Sequence, residues 1–192
     1  MDKSIKNILV TGGAGFIGSN LALKLVDKGY RVTVLDNLSE QIHGEHPEET
    51  SPLYRSILGK VKFIKGSVTN KADWRKALYD QDAIIHLAAE TGTGQSMYEI
   101  EKYVSVNIGG TALMLDILTN VPNHVKRVLV AESRAVYGEG RYWSENRRSY
   151  VYPDAREAID MQHGEFEIYD DDHFKLKLVS TTEDSLIHPT SV

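Results

Sequence analysis

Apolar residues fall in five short runs, separated by stretches where they recur at helical spacing. KNILVT at 6–11, RVTVL at 31–35, VKFIK at 61–65, AIIHLA at 83–88 and RVLVA at 127–131 read as strands. Between the first two, residues 16–28 read as a helix. Ile17, Leu21 and Leu25 lie on one face of it, and Gly29 stops it. The polar connection after the second strand carries His43, His46 and four glutamates, with a short helix predicted at 54–58. Asn70 with Asp73 predicts a helix start ahead of ADWRKAL. A long helix is predicted over 100–118, ended by Asn120 and Pro122. Strands alternating with helices predict an α/β fold, a parallel sheet covered on both faces. The apolar stripe Val104, Ile108, Ala112 and Leu115 and the wholly apolar fifth strand both call for cover that no later segment supplies. The domain is therefore expected to be incomplete and prone to association.

The pattern stops after Gly140. Residues 141–180 are rich in Arg, Tyr and Asp and read as an irregular insertion, with weak strand signals at FEIY (166–169) and KLKLV (175–179). Charge marks the same boundary. Residues 1–140 hold 16 acidic and 16 basic side chains, whereas residues 141–192 hold 11 and 6, the whole net −5. The expected domains are thus 1–140, the α/β unit, and 141–192, an acidic insertion. No basic footprint for nucleic acid is present, and no run approaches the ~20 apolar residues of a membrane helix. With no cysteine, disulfides and thiolate metal sites are excluded. The N-terminus has no apolar signal-peptide core, which fits a cytoplasmic protein.

The strongest chemical signal is TGGAGFIG at 11–18, which follows a strand and opens a helix. Gly12 allows a tight turn, Gly15 lets a pyrophosphate approach the backbone, and Gly18 lets the helix pack closely. The helix start then offers N–H groups and a positive dipole end to phosphates. Asp36 ends the second strand, 18 residues after Gly18. A carboxylate there accepts from both hydroxyls of an adenosine ribose and repels a 2′-phosphate. Asn37 and Leu38 follow, not Arg, so NAD is expected over NADP.

These residues, with HLAA at 86–89 and SRAVYG at 133–138, resemble the extended short-chain dehydrogenases/reductases. More narrowly the chain resembles NAD-dependent nucleotide-sugar epimerases of the dTDP-L-rhamnose 4-epimerase-like group, through LDNLSEQIHG, TGTGQSMYEIEKYV, SRAVYGEG and HPTSV. The resemblance covers essentially the whole chain and implies a Rossmann-type doubly wound sheet. It implies that Gly12, Gly15, Phe16 and Ile17 contact pyrophosphate, that Asp36 and Asn37 hold the adenine ribose, and that Ser67 and Val68 lie near adenine. Many relatives carry Asp at the Ser67 position. Leu87, Ala88 and Ala89 would line the cofactor cleft, Thr91 would approach the second ribose, and Asn107 would steady the site. Ser133 would be the catalytic Ser/Thr that bonds the reacting sugar hydroxyl. Homodimerisation of the complete protein is also implied.

Gln95 and Ser96, after two glycines, are candidate sugar contacts. Met97, Tyr98 and Tyr103 read as packing, and His86 as a structural histidine. No metal site is expected: His43 and His46 lack further ligands, and His173 beside Asp170, Asp171 and Asp172 reads as a solvated acidic loop. Related dehydratases and decarboxylases carry a carboxylic acid after the serine. Here Arg134 and Ala135 stand there, while Glu132 precedes the serine. This favours 4-epimerisation, in which hydride passes to NAD, a keto-sugar turns over, and hydride returns. The family's base is the tyrosine of Tyr-x-x-x-Lys. Tyr152 with Arg156 and Tyr169 with His173 have the spacing without the lysine, and no Tyr–Lys pair is expected anywhere in the chain, so it is read as ending just before the catalytic helix and as inactive alone. The alternatives are a non-catalytic NAD-binding module and, less favoured, a dehydratase or reductase.

Overall fold

A computed structural model describes residues 4–189. The N-terminal MDK and the last three residues of HPTSV lie outside the described residues. The chain divides into two compact units, Met1–Ala131 and Glu132–Val192.

The first unit is a five-stranded parallel sheet in the order β3-β2-β1-β4-β5. The strands are β1 (Asn7–Thr11), β2 (Arg31–Asp36), β3 (Lys62–Lys65), β4 (Ala83–His86) and β5 (Arg127–Val130). The chain winds outward from β1 through β2 to β3, then crosses back to β4 and β5. Its direction reverses between β1 and β4, which opens a crevice at their carboxyl ends. Strand alternation divides the core in two. On one face Ile8, Val10, Val32 and Val34 pack with Ala22 and Leu25 of α1 (Phe16–Asp27) and with Ile57 of α4 (Pro52–Ile57). On the other, Leu9, Leu35 and Ile84 meet Trp74 and Ala77 of α5 (Lys71–Ala77) and Met114 and Ile117 of α8 (Gly110–Asn120).

The connection after β2 contains two further short helices, α2 (Glu40–His43) and α3 (Pro47–Thr50). Asn70 caps α5 by accepting from the N–H groups of Ala72 at 2.8 Å and Asp73 at 3.3 Å. The Asp73 carboxylate turns away from the cap and accepts from Ser67 N–H at 3.1 Å. The predicted long helix is built in pieces: α6 (Thr93–Ser96) precedes α7 (Ile100–Tyr103), a π-helical segment (Val104–Gly109) follows, and α8 completes it. Ile17 departs from its expected buried face and is 68% exposed. Gly18 takes the inner position, because a Cβ there would stand 2.2 Å from Gly12 O; the helix start is pressed onto the glycine turn.

The expected uncovered surface is present. Val104, Ile108 and Leu115 are 43%, 65% and 51% exposed, and Leu129 and Val130 of β5 are 52% and 51% exposed. Purified alone, the 192-residue polypeptide is expected to self-associate through such apolar surface. Size-exclusion chromatography with light scattering tests this; a 21.5 kDa monomer that binds no hydrophobic dye is the contrary result.

Most described residues of the second unit lie in no helix or strand, and its regular elements are short. The unit contains an antiparallel sheet, order β7-β6-β8, from β6 (Tyr142–Ser144), β7 (Ser149–Val151) and β8 (Lys177–Leu178). Strands of two or three residues carry too little alternation to be read from sequence. FEIY and KLKLV contribute the Tyr169–Lys175 bridge and β8. Asp170 is buried rather than solvated. Its carboxylate accepts from Phe174 N–H at 2.9 Å, Asp172 N–H at 3.1 Å and the Ser144 hydroxyl at 3.1 Å. These bonds, Phe174 N–H foremost, hold it below the usual carboxylate range. A short helix, α9 (Ala158–Gln162), lies between β7 and β8.

Candidate functional site

The crevice is built from the glycine turn upward. Gly12 has φ +65°, and a Cβ there would stand 2.7 Å from Ala88 N, so the turn lies directly against the exit of β4. Gly15 is different. Its backbone is extended (φ −70°, ψ 177°), and a Cβ would meet only Gly12 O at 3.3 Å. Space is therefore open above Gly15. It is the N-cap of α1, no side chain caps that helix, and no acidic residue stands in its first turn. Phe16 and Ile17 point outward, 75% and 68% exposed. Bare N–H groups at a helix start, beside a backbone without a side chain, fit a pyrophosphate.

Asp36 ends β2 on the same side. Its Oδ2 accepts from Ala14 N–H at 2.9 Å and its Oδ1 from Leu38 N–H at 2.8 Å. These bonds tie the carboxylate to the glycine turn and leave lone pairs on both oxygens. Asn37 is exposed beside it, its Oδ1 taken by Ser39 N–H at 3.1 Å. Ser67 is half-buried and its hydroxyl is paired with Thr69 Oγ1 at 2.8 Å. Val68 is a core residue, and its carbonyl accepts from Trp74 Nε1 at 2.6 Å. Leu87 and Ala88 leave β4 with their N–H groups on Thr11 O at 3.1 Å and Thr11 Oγ1 at 3.2 Å. Ala89 is exposed beyond them. Thr91 O accepts from Tyr103 Oη at 2.9 Å and from Gln41 Nε2 at 2.9 Å, which joins the segments after β2 and β4. Asn107, in the π-helical segment, clamps one residue with both arms: Oδ1 accepts from Glu90 N–H at 2.8 Å, and Nδ2 donates to Glu90 O at 3.2 Å. Irregular helix turns of this kind often occur at functional sites. Ser96 is buried and Gln95 exposed. Tyr103 packs as expected, but Met97 and Tyr98 are 56% and 87% exposed, so the packing role expected for those two is corrected.

A polar thread under the crevice is harder to foresee. Thr11 and His86 are register partners on β1 and β4. Thr111 donates to Asn107 O at 2.7 Å, so its oxygen accepts from His86 Nε2–H at 3.1 Å. His86 Nδ1 then accepts the Thr11 hydroxyl proton at 2.7 Å. This thread links Ala88 N–H to the π-helical turn. Burial pushes the His86 pKa below 6.5. The unfolded chain binds that proton more readily, so the contribution to stability is complete above pH 6.5 and declines as pH falls below it. Thermal unfolding between about pH 5 and 8 should show a shallower acid slope in His86→Gln than in the parent chain. Equal slopes would contradict the assignment.

In the second unit, Ser133 caps a 3₁₀ turn (Arg134–Tyr137), and its Oγ accepts from Ala135 N–H at 3.1 Å. That bond sets the side-chain rotamer, and the hydroxyl proton has no partner among the described residues. Arg156 is committed to Glu139, to Phe166 O at 2.9 Å and to Tyr142 Oη at 3.3 Å. His173 sits in a left-handed turn at φ +60°. A Tyr-x-x-x-Lys spacing that the sequence reading overlooks is Tyr98 with Lys102. Tyr98 lies between helices, and Lys102 Nζ is held by Glu99 at 3.0 Å and Glu90 at 3.4 Å. Hydrogen bonding to Glu99 raises the lysine pKa.

Residues 8–157 match the NAD-dependent epimerase/dehydratase family. The chain is 37% identical over 164 residues to dTDP-L-rhamnose 4-epimerase of Burkholderia thailandensis, covering 84% of this chain and 44% of that protein. It is 34% identical over 135 residues to UDP-N-acetyl-α-D-glucosaminuronate decarboxylase of Bacillus cytotoxicus, covering 70% of this chain and 39% of that one. Among solved structures it is similar to UDP-glucose 4-epimerase from Brucella ovis in complex with NAD, with a TM-score of 0.57 and 34% identity, over 69% of this chain and 37% of that structure. The chain spans less than half the length of these relatives. With the glycine turn, the bare helix start and Asp36 at one crevice, the match identifies the chain as a member of the NAD-dependent epimerase/dehydratase family.

Proposed function

We propose that this chain is the NAD-binding portion of a cytoplasmic nucleotide-sugar 4-epimerase. The observation that carries the cofactor reading is the open space at Gly15, between an uncapped helix start and the Asp36 carboxylate. In this reading Gly15 leaves room for the pyrophosphate, the N–H groups of Phe16 and Ile17 hold it, and Gly12 forms the turn beneath, its carbonyl accepting from Gly15 N–H at 3.2 Å. Asp36 accepts from the adenine-ribose hydroxyls, with Asn37 beside it. Leu87, Ala88 and Ala89 line the cleft, Thr91 meets the second ribose, and Asn107 holds the Glu90 peptide that carries this loop. Ser67 and the Val68 N–H lie toward adenine. When bound, NAD supplies a reversible hydride acceptor. Gln95 and Ser96 contact the sugar, and Ser133 donates to or accepts from its 4-hydroxyl. Arg134 and Ala135 offer no acid to expel water, which favours epimerisation over dehydration.

A second reading, an NAD-binding module without turnover, draws on Lys102. Its ion pairs leave no free ammonium to lower a tyrosine pKa in the chain's Tyr-x-x-x-Lys. The test uses the natural polypeptide that carries this chain, purified with NAD and mixed with UDP- and dTDP-hexoses. Proton NMR should follow inversion at C4 without net cofactor reduction. A 4-keto-6-deoxy product would overturn the epimerase reading, and binding without product would establish the module.

A further inference from the structure

His43 lies outside the roles given so far. The chain leaves Asp36 through Leu38, held at φ +56° with its side chain in the core. That left-handed turn starts α2 so that its last residue, His43, comes back to Asp36. Both side chains are buried, and His43 Nε2 stands 3.8 Å from Asp36 Oδ1. The other ring nitrogen, Nδ1, is 2.8 Å from Ser51 Oγ.

Ser51 decides the tautomer. It is almost wholly buried and caps α4, where its Oγ accepts from Tyr54 N–H at 3.3 Å. Its hydroxyl proton has His43 Nδ1 as its acceptor among the described residues. Nδ1 therefore accepts, Nε2 carries the proton, and that N–H faces Asp36. At 3.8 Å this is an electrostatic contact, longer than a hydrogen bond. With Ala14 N–H and Leu38 N–H it surrounds the carboxylate with three donors.

We propose that His43, locked by Ser51, is a positioning residue for Asp36 and fixes the carboxylate plane that receives the adenine ribose of NAD. The proposal rests on the reading of Asp36 as the ribose acceptor.

Two near-isosteres separate the two ends of the ring. His43→Asn retains an acceptor for Ser51 and has nothing at the position of Nε2. His43→Gln places an amide donor near Nε2 and loses the acceptor for Ser51. Calorimetry with NAD⁺ on the 192-residue chain should find His43→Asn weakened about tenfold and His43→Gln within about threefold of the parent. In an Asp36→Ala background, adding His43→Asn should change affinity by less than about twofold, because the effect runs through the carboxylate. A role limited to anchoring Ser51 would give the opposite order, with Gln weak and Asn unchanged. That order, or a tenfold loss that persists without Asp36, overturns the proposal. If Asp36→Ala binds NAD⁺ as the parent does, the ribose reading itself fails, and His43 loses its role with it.

Discussion

Replacing Gly15 with valine is expected to lower NAD affinity by about 100-fold or more, through loss of charge-assisted hydrogen bonds to the pyrophosphate. The fold should survive. Gly15 has φ −70° and ψ 177°, a conformation any residue adopts. A Cβ there meets only Gly12 O, at 3.3 Å, and can be accommodated by a small shift. The added methyl groups would instead fill the space over the bare N–H groups of α1. Gly18 is the internal control. A Cβ at Gly18 would lie 2.2 Å from Gly12 O and 2.6 Å from Gly13 Cα, so Gly18→Ala should lose about 1–3 kcal/mol of stability. Calorimetry and thermal unfolding on both variants check the pair. A Gly15→Val protein that binds NAD normally would place the pyrophosphate elsewhere.

Epimerase turnover by the 192-residue polypeptide alone is expected to be near background. Ser133 can orient a hydroxyl, but a serine hydroxyl does not remove its proton at neutral pH. General-base catalysis contributes about 10²–10⁴-fold. The tyrosine spaced correctly from a lysine is Tyr98, and Lys102 is occupied by Glu99 and Glu90. Coupled assays with UDP- and dTDP-sugars, with NAD supplied, measure this. Robust turnover abolished by Tyr98→Phe would make Tyr98 the base and contradict the account.

The sheet was legible because its strands are short apolar runs set between helical stretches, and all five lie where KNILVT and its counterparts predict them, although β5 is exposed and β3 only half-buried. The glycine turn was legible for a related reason. Backbone approach at Gly12 and Gly18 is a steric demand that one residue type satisfies. What escaped depends on contacts distant in sequence. Ile17 fits a helical stripe, yet Gly18's approach to the turn rotates it outward. Asp73 resembles a capping-box partner, yet Ser67 N–H claims it. Asp170 looks like a member of a solvated acidic run until the N–H groups of Asp172 and Phe174 fold around it. The thread Thr11–His86–Thr111 left only a faint signal, a threonine at the end of an apolar strand in register with a histidine. His43 gave none, because its partners Asp36 and Ser51 belong to elements whose arrangement no spacing rule predicts.

Parallel calorimetric titrations of the 192-residue chain with NAD⁺ and NADP⁺ test the central claim most directly. The claim is that the crevice between the glycine turn and Asp36 is a dinucleotide site whose carboxylate selects an unmodified ribose. A 2′-phosphate brought against the buried Asp36 carboxylate meets like charge, and no arginine follows at Asn37 or Leu38. The account predicts saturable binding of NAD⁺ at one site per chain, weaker binding of NADP⁺, and a preference that narrows in Asp36→Ala. Tighter binding of NADP⁺, or no binding of either, would contradict it.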